Sequence, residues 1–263
     1  MGFSTGEMTR TNRIRRYTSI VTIVVALVAW YLLTTQFHLI PSLFFPSPKD
    51  VIDNLVMVRS SIVEHTAYTL GRVLLSYVAG CALGVGIGLL MSRFKAVFGL
   101  LEPPIEALRP IPPVALIPFF ILWFGIGNFG KILLTGLGCF MVMCITTLEA
   151  VRNVPKIYIH AAQSLGATED HCYRTVVMPA IVPELIPGLR VALAGAFGLM
   201  IASELMGAQQ GLGFLIMVAR RSLNTQTILL GIIIIGLVAF STDRLLGYLT
   251  SRATGWTERV ERS

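Results

Sequence analysis

The chain has 263 residues, of which 54% are hydrophobic and 13% are charged, and its mean hydropathy is +0.74. A soluble globular domain carries roughly 25% charged residues, so this composition excludes a soluble protein and indicates an integral membrane protein. The net charge of +7 would suggest nucleic-acid binding in a soluble protein, but in a membrane protein the lysines and arginines must first be assigned to the two sides of the bilayer.

The N-terminal segment, residues 1–17, is basic, and its four arginines precede an apolar run at 18–33. A short apolar run behind positive charges is typical of a signal peptide, but no small-residue cleavage site follows this one. We therefore predict an uncleaved signal anchor, with residues 1–17 in the cytoplasm.

Apolar runs of about 20 residues, the length that crosses a bilayer, recur along the rest of the chain. The sequence predicts an all-α polytopic membrane protein with one transmembrane domain, residues 18–250, and a cytoplasmic tail, residues 251–263. The even number of spans places both termini in the cytoplasm. The six predicted spans cover about 18–37, 66–91, 99–124, 131–149, 185–207 and 227–250. The proline-containing connector between the first two spans, residues 38–61, is predicted to lie on the outer surface.

Glycine recurs at every fourth position of the second span, at Gly80, Gly84 and Gly88. A helix brings such positions to one face, which then lacks side chains. We predict that this face packs closely against a neighbouring helix.

The third span contains six prolines, each without a backbone N–H donor. They are Pro103, Pro104, Pro110, Pro112, Pro113 and Pro118. One regular helix is therefore excluded, and broken backbone at membrane depth is tolerated only against protein or a water-filled path. We place this span inside the bundle and predict that Arg109, Pro110, Pro112 and Pro113 line a translocation pathway.

Charged side chains at membrane depth are costly, about 2.5–3.5 kcal/mol at the bilayer centre, and they often mark a pathway. On this ground Glu204 joins Arg109 as a candidate pathway residue. Alternatively, Arg109 could pair with Glu102 and Glu106, which lie seven and three residues earlier on nearly the same helical face. The other charges could reach the membrane surface from the span ends; they are Arg72, Arg190 and Glu204.

Motifs of enzyme chemistry in the chain are incomplete. The segment GIGNFGKI at 125–132 resembles a phosphate-binding P-loop, but Ile132 stands where Ser or Thr must hold magnesium, and no strand precedes the segment. GFSTG at 2–6 matches a nucleophile elbow without its strand. The four cysteines and four histidines show no disulfide or metal-ligand spacing. We predict no catalytic residue, no metal site and no cofactor in this chain.

The polar segment 150–183 is predicted to form two short helices on the cytoplasmic face. Pro155 suits a helix start, the helix Lys156 to Leu165 stops at Gly166, and Thr168 caps a second helix that ends at Met178–Pro179. The pattern could also be a DNA-reading helix-turn-helix, but Glu169 and Asp170 at the start of the second helix would repel phosphates. We therefore expect no nucleic-acid binding.

This segment resembles the EAA loop of ABC importer permeases: Glu-Ala-Ala, three residues, Gly, nine residues, Ile-x-Leu-Pro. The spacing is intact from His160-Ala161-Ala162 through Gly166 to Met178-Pro179, with His160 in place of Glu, Val176 of Ile and Met178 of Leu. The resemblance implies ATPase coupling by His160, Ala161, Ala162, Gln163, Ser164, Leu165, Gly166 and Ala167. Four further segments resemble the nitrate, taurine and aliphatic sulfonate branch; they are LRPIPPVALIPFFILWFGIG, AAQSLGA, PELIPGLRVALA and ASELMGAQQGLGFLI.

The resemblance implies the type I importer permease fold in a bacterial inner membrane. In that family two permease copies form the pore within membrane lipid, two cytoplasmic ATPase subunits bind beneath them, and a periplasmic binding protein delivers the solute. ATP and magnesium bind to the ATPase subunits, so this chain itself is not an enzyme. A secondary transporter of a small anion is the alternative, although those chains usually carry internal repeats and no second proline-broken span is visible here.

Overall fold

The computed structural model describes residue 18 and residues 21–22, 24–37 and 41–253, and over these residues the chain is helical with no strand. The helices are α1 Val24–Gln36, α2 Pro48–Arg93, α3 Lys95–Leu108, α4 Ile117–Phe124, α5 Asn128–Asn153, α6 Lys156–Ser164, α7 Glu169–Cys172, α8 Met178–Gly207, α9 Leu212–Arg221 and α10 Thr225–Ala253. The predicted N-terminal segment and most of the predicted tail lie outside the described residues.

Four described helical stretches are long and apolar enough to cross a membrane: α2, α5, Glu169–Gly207 and α10. The bent pair formed by α3 and the stretch Pro113–Phe124 makes a fifth if it is one span. Helix α1 is a shorter apolar helix, and the predicted first span, 18–37, lies partly outside the described residues. The all-helical prediction is confirmed for the described chain, and the count of six spans stays a prediction.

The centre of the bundle is formed by α2, α5 and α8. Val73 and Tyr77 of α2, Met143 of α5, and Phe197 and Met200 of α8 belong to one buried apolar cluster. Helices α5 and α8 carry the spans on either side of the 150–183 segment, so that segment is connected directly to the core of the bundle.

The glycine face predicted for α2 packs against α5. A Cβ built on Gly84 would lie 2.6 Å from the carbonyl oxygen of Phe140, and one on Gly88 would lie 2.7 Å from Cβ of Thr147. Real side chains do not approach so closely, so glycine is required for this helix contact. The predicted close packing is confirmed.

We expect Gly84→Val to destabilise the protein by about 1–3 kcal/mol, because its side chain must push α2 and α5 apart. Gly86→Val is the matched control, since a Cβ at Gly86 meets no atom within 4 Å and both substitutions place the same residue in the same helix. The measurement is the unfolding midpoint of each purified variant in one detergent. Equal shifts for the two variants would contradict the close contact.

Helix α2 is longer than the predicted second span and includes most of the connector 38–61. It has 46 residues, about 69 Å at 1.5 Å per residue, whereas the hydrocarbon core of a bilayer is about 30 Å thick. The helix begins where Ser47 and Asp50 form a reciprocal capping box, with Pro48 in the first turn. One of the connector's prolines therefore starts a helix, since the first turn needs no N–H from it.

The proline-rich third span is broken, as predicted. Helix α3 ends at Leu108, residues 109–112 form a turn, and the following stretch Pro113–Phe124 leaves at an angle of 86°. Pro103 and Pro104 lie inside α3, so the break is located at the cluster of Pro110, Pro112 and Pro113.

The second helix of the 150–183 segment does not end at Met178–Pro179, and that prediction is wrong. A π turn at Tyr173–Val177 connects α7 to α8 without interruption. In this wider turn the N–H of Met178 donates to the carbonyl of Tyr173, five residues earlier. Such a turn relaxes the hydrogen-bond ladder, which accommodates Pro179 in the first turn of α8.

Candidate functional site

Helix α6 ends in a glycine-dependent cap. Gly166 has φ +87°, the left-handed conformation predicted for this exit. Its N–H donates to the carbonyl of Gln163 at 2.9 Å, and the N–H of Ala167 donates to that of Ala162 at 3.0 Å. These two bonds form a Schellman motif and satisfy the last carbonyls of the helix. Thr168 then caps α7 through a bond from the N–H of His171, as predicted.

The predicted coupling residues lie together at one exposed end of the bundle. His160, Ala161, Gln163, Ser164, Leu165 and Gly166 are exposed, while Ala162 and Ala167 are half-buried. Residues of this group line a groove of about 520 Å³ together with Thr168, His171 and Thr175. The groove is open, so it provides a surface on which another protein could bind.

Helix α6 and the residue that caps its end, Leu165, also present large apolar side chains to their surroundings. Ile157 is 71% exposed, Tyr158 59% and Leu165 90%, and no residue of α6 is buried. Scattered apolar side chains are common on protein surfaces, but a contiguous apolar patch marks an interaction site. Three large apolar side chains are thus exposed here, and one of them, Leu165, also lines the groove.

The segment is also tied to the end of α2. The hydroxyl groups of Ser92 and Tyr173 lie 3.0 Å apart, and the Tyr173 hydroxyl donates to the carbonyl of Leu89 at 3.2 Å. Arg93 lies over the Tyr173 ring and 3.9 Å from the carboxylate of Glu169. These contacts join α7 and the π turn after it to the end of α2, and α3 begins two residues beyond that end, at Lys95.

Arg109 lies in the turn that breaks the third span, and its ion-pair partner is neither Glu102 nor Glu106, the two carboxylates on its own span. Its guanidinium is 4.0 Å from the carboxylate of Glu149 on α5, and both side chains are more than half exposed. Glu102 and Glu106 line the same shallow pocket without an ion pair to Arg109. Helix periodicity predicted the wrong partner because the acceptor comes from another helix.

Of the three prolines at the break, Pro113 lies beside two cavities. Pro110 and Pro112 are exposed in the turn, and Pro113 lines both cavities, of about 260 Å³ and about 300 Å³. Arg109 lines the first of them. The geometry therefore brings Arg109 and Pro113 to open space, as a pathway requires.

Glu204 does not face open space. Its carboxylate is buried and accepts hydrogen bonds from Arg72 at 2.8 Å, from the Thr69 hydroxyl at 2.9 Å, and from the N–H of Gly213 at 3.0 Å. Arg72 also donates to the carbonyl of Gln210 at 2.8 Å. Both side chains are buried and paired with each other, so the alternative that they extend from the span ends is wrong for this pair.

Two further charged side chains bind partners elsewhere in the same chain. Arg190 of α8 makes a two-pronged ion pair with Asp243 of α10. Lys131, at the position of the P-loop lysine, donates to the carbonyls of Ile126 and of Gly127, the latter at 2.8 Å. Among the described residues, no group of three His, Cys, Asp or Glu side chains could hold a metal ion.

The geometry can be compared with known proteins. Residues 80–255 match the family model described as "Binding-protein-dependent transport system inner membrane component". The chain is 36% identical over 250 residues to the taurine transport system permease protein TauC of Escherichia coli (strain K12), covering 92% of this chain and 90% of that protein. It is 31% identical over 218 residues to the putative aliphatic sulfonates transport permease protein SsuC of Bacillus subtilis (strain 168), covering 82% and 79%.

A nitrate import permease protein, NrtB of Leptolyngbya laminosa, is 28% identical over 186 residues, covering 71% of this chain and 67% of that protein. Among solved structures, an amino acid ABC transporter superposes with a TM-score of 0.62 at 18% identity, covering 75% of this chain and 94% of that chain. The fold is thus that of ABC transporter permeases. The predicted resemblance to the taurine, sulfonate and nitrate branch is confirmed.

Proposed function

The chain belongs to the family of binding-protein-dependent transport system inner membrane components, and from this premise we propose that two copies of it form the pore of an ATP-driven importer. Two cytoplasmic ATPase subunits bind beneath the pore, and a periplasmic binding protein delivers the solute. The chain is a multi-pass protein of the inner membrane. In this proposal it has six spans in the type I arrangement, with both termini in the cytoplasm.

The proposed solute is a small anion of the taurine, sulfonate or nitrate type, in agreement with the names of the relatives. Arg109, beside the cavities at the proline-rich break, is the proposed pathway cation. Glu204 is the weaker candidate, because its carboxylate is already bound by internal partners.

The observation that carries the proposal is the exposed apolar surface of α6 and of its cap residue, Leu165. Ile157, Tyr158 and Leu165 would be costly to leave in water, and a groove on an ATPase subunit would cover them. ATP binds to that subunit and hydrolysis occurs there, so this chain needs neither a cofactor nor a catalytic residue. Closure of the ATPase pair would move α6 and α7, and the contacts of Tyr173 with the end of α2 would carry this movement to α3.

Reconstitution of the complex tests this function. The tagged permease is purified with its ATPase subunit, placed in proteoliposomes, and supplied with the binding protein and taurine, an alkanesulfonate or nitrate. We expect the ATPase subunit to co-purify with the permease. We also expect solute uptake to require ATP on the side of the membrane where the ATPase subunits lie. Uptake that follows a proton or sodium gradient without ATP would contradict the importer and support the secondary transporter.

The proposed orientation predicts which loops are accessible from outside the cell. Single cysteines are placed at Thr168 and at Asn128, two exposed positions, in a background without the four native cysteines. In intact spheroplasts an impermeant thiol reagent should label the cysteine at Asn128 and leave the one at Thr168 unlabelled until the membrane is opened. Labelling of the Thr168 position in intact spheroplasts would contradict a cytoplasmic coupling loop.

A further inference from the structure

The two cavities beside the break are neighbours. The cavity of about 260 Å³ lies toward Arg109 and Met141, and the cavity of about 300 Å³ lies toward Gly195 and Leu199. Pro113, Gly138 and Val142 line both. The cavities therefore adjoin at Pro113, where the irregular backbone of the third span lies against α5.

The charge in these linings is concentrated at one end. Arg109 is the one charged side chain among the described residues that line either cavity, and the remaining lining is mainly aliphatic. A guanidinium binds planar or tetrahedral oxyanions through two parallel N–H donors. Its contact with Glu149 is long, 4.0 Å, and half exposed, so an arriving oxyanion could displace that carboxylate.

The width of the second cavity depends on glycine. Gly195 and Gly198 of α8 line it, and a Cβ built on either one would meet no atom within 4 Å. These glycines therefore face open space, unlike Gly84, where a Cβ would lie 2.6 Å from the carbonyl oxygen of Phe140. Neither lining contains a carboxylate that could receive an ammonium group.

We propose that these adjoining cavities are a solute site within the permease itself, and that the site takes a sulfonate with an apolar chain. The sulfonate oxygens bind the Arg109 guanidinium, and the alkyl chain of the solute extends past Pro113 and Val142 toward Gly195. The inference rests on the proposed function and narrows its solute class. The aliphatic lining favours an alkanesulfonate over a sulfonate that ends in an ammonium group.

The length of the solute's alkyl chain is the variable that tests the site. Uptake of methanesulfonate and of hexanesulfonate is measured in proteoliposomes with the ATPase subunits and the binding protein, for the wild type and for Gly195→Leu. The binding protein is the same throughout, so a change in the ratio of the two rates reports on the permease. We expect Gly195→Leu to lower hexanesulfonate uptake about tenfold relative to methanesulfonate uptake, because the leucine occupies the space of the chain.

Two further variants separate binding of the sulfonate group from binding of the alkyl chain. Gly236→Leu is the matched control, since Gly236 lies in α10 and a Cβ there also meets no atom within 4 Å; its ratio should equal that of the wild type. Arg109→Gln should lower the uptake of both sulfonates by a similar factor, because it removes the oxyanion contact and leaves the chain space open. Size-exclusion chromatography checks that each complex stays assembled.

An unchanged ratio for Gly195→Leu, with or without an equal loss of both rates, would overturn the inference and leave the importer function intact. Dissociation of the Gly195→Leu complex would also overturn it, since Gly195 would then face the second copy of the chain. If the wild-type complex takes up neither sulfonate while another solute enters with ATP, the sulfonate class is overturned as well. Failure of every tested solute to enter with ATP would instead contradict the proposed function.

Discussion

Replacing Arg72 with methionine is expected to lower the free energy of unfolding by about 3–5 kcal/mol, because it leaves a buried carboxylate without its charged partner. The Glu204 side chain has no exposed surface and that of Arg72 is 7% exposed. Only the Thr69 hydroxyl and the N–H of Gly213 would remain to hold the carboxylate. The measurement is the unfolding midpoint of the purified protein in detergent, together with its yield in the membrane.

Arg174→Met is the control for this prediction. Arg174 pairs with Asp170 at 3.0 Å, but these side chains are 76% and 56% exposed, and an exposed pair contributes about 0–1 kcal/mol. The double variant Arg72→Met with Glu204→Met should recover much of the stability, since it removes both buried charges. Equal losses for Arg72→Met and Arg174→Met, or no recovery in the double variant, would contradict the role of the buried pair.

The buried pair also explains the conformation of the loop that follows α8. Arg72 donates to the carbonyl of Gln210, and the N–H of Leu212 donates to the Thr69 hydroxyl at 2.8 Å. Gly211 between them has φ +117°, and a Cβ there would overlap the Glu204 carboxylate. The loop and the start of α9 are therefore fixed to α2 and α8 by one polar cluster.

The features that could be predicted from the sequence depend on local geometry. Gly166 was predicted at a left-handed exit, and the glycines of α2 at a close helix contact, because both conclusions follow from the missing Cβ. The break in the third span follows in the same way from missing N–H donors. Each inference used residues within a few turns of one another.

The features that could not be predicted join distant parts of the chain. Arg72 and Glu204 are 132 residues apart in sequence, and Arg109 pairs with a carboxylate of another helix. Spacing within one span indicates which residues share a helical face, but it cannot indicate which face of another helix lies opposite. The pairs of both arginines became clear only from the packing of α2, α5 and α8.

Helix ends were also misjudged where proline has two possible effects. Pro48 and Pro179 both lie in a first helical turn, where the missing N–H costs little. The sequence predicts Pro48 within a connector on the outer surface and Pro179 as a helix stop. The capping pair Ser47 and Asp50 is a sequence signal that a helix starts at Pro48. The π turn before Pro179 has no comparable sequence pattern.

Gly166→Val is expected to abolish transport while the protein still inserts and assembles its bundle. The residue has φ +87°, and a β-branched side chain in that conformation costs about 1–2 kcal/mol. The chain would relieve this strain by changing the exit angle of α6, which displaces Ile157, Tyr158 and Leu165 from the proposed ATPase groove. The transmembrane spans are untouched, so the unfolding midpoint should change little, whereas stimulation of ATPase activity by the loaded binding protein should be lost.

Gly166→Asn separates the backbone requirement from the side chain. Asparagine tolerates the left-handed conformation, and no atom lies within 4 Å of a Cβ at this position, so this variant should retain most of the stimulation. The measurement is ATPase activity of the reconstituted complex with and without loaded binding protein, with co-purification of the ATPase as a check on docking. If Gly166→Val keeps full stimulation, α6 is not the coupling helix. If Gly166→Asn loses it as completely as Gly166→Val, the position acts through its missing side chain rather than through the backbone angle that ends the helix.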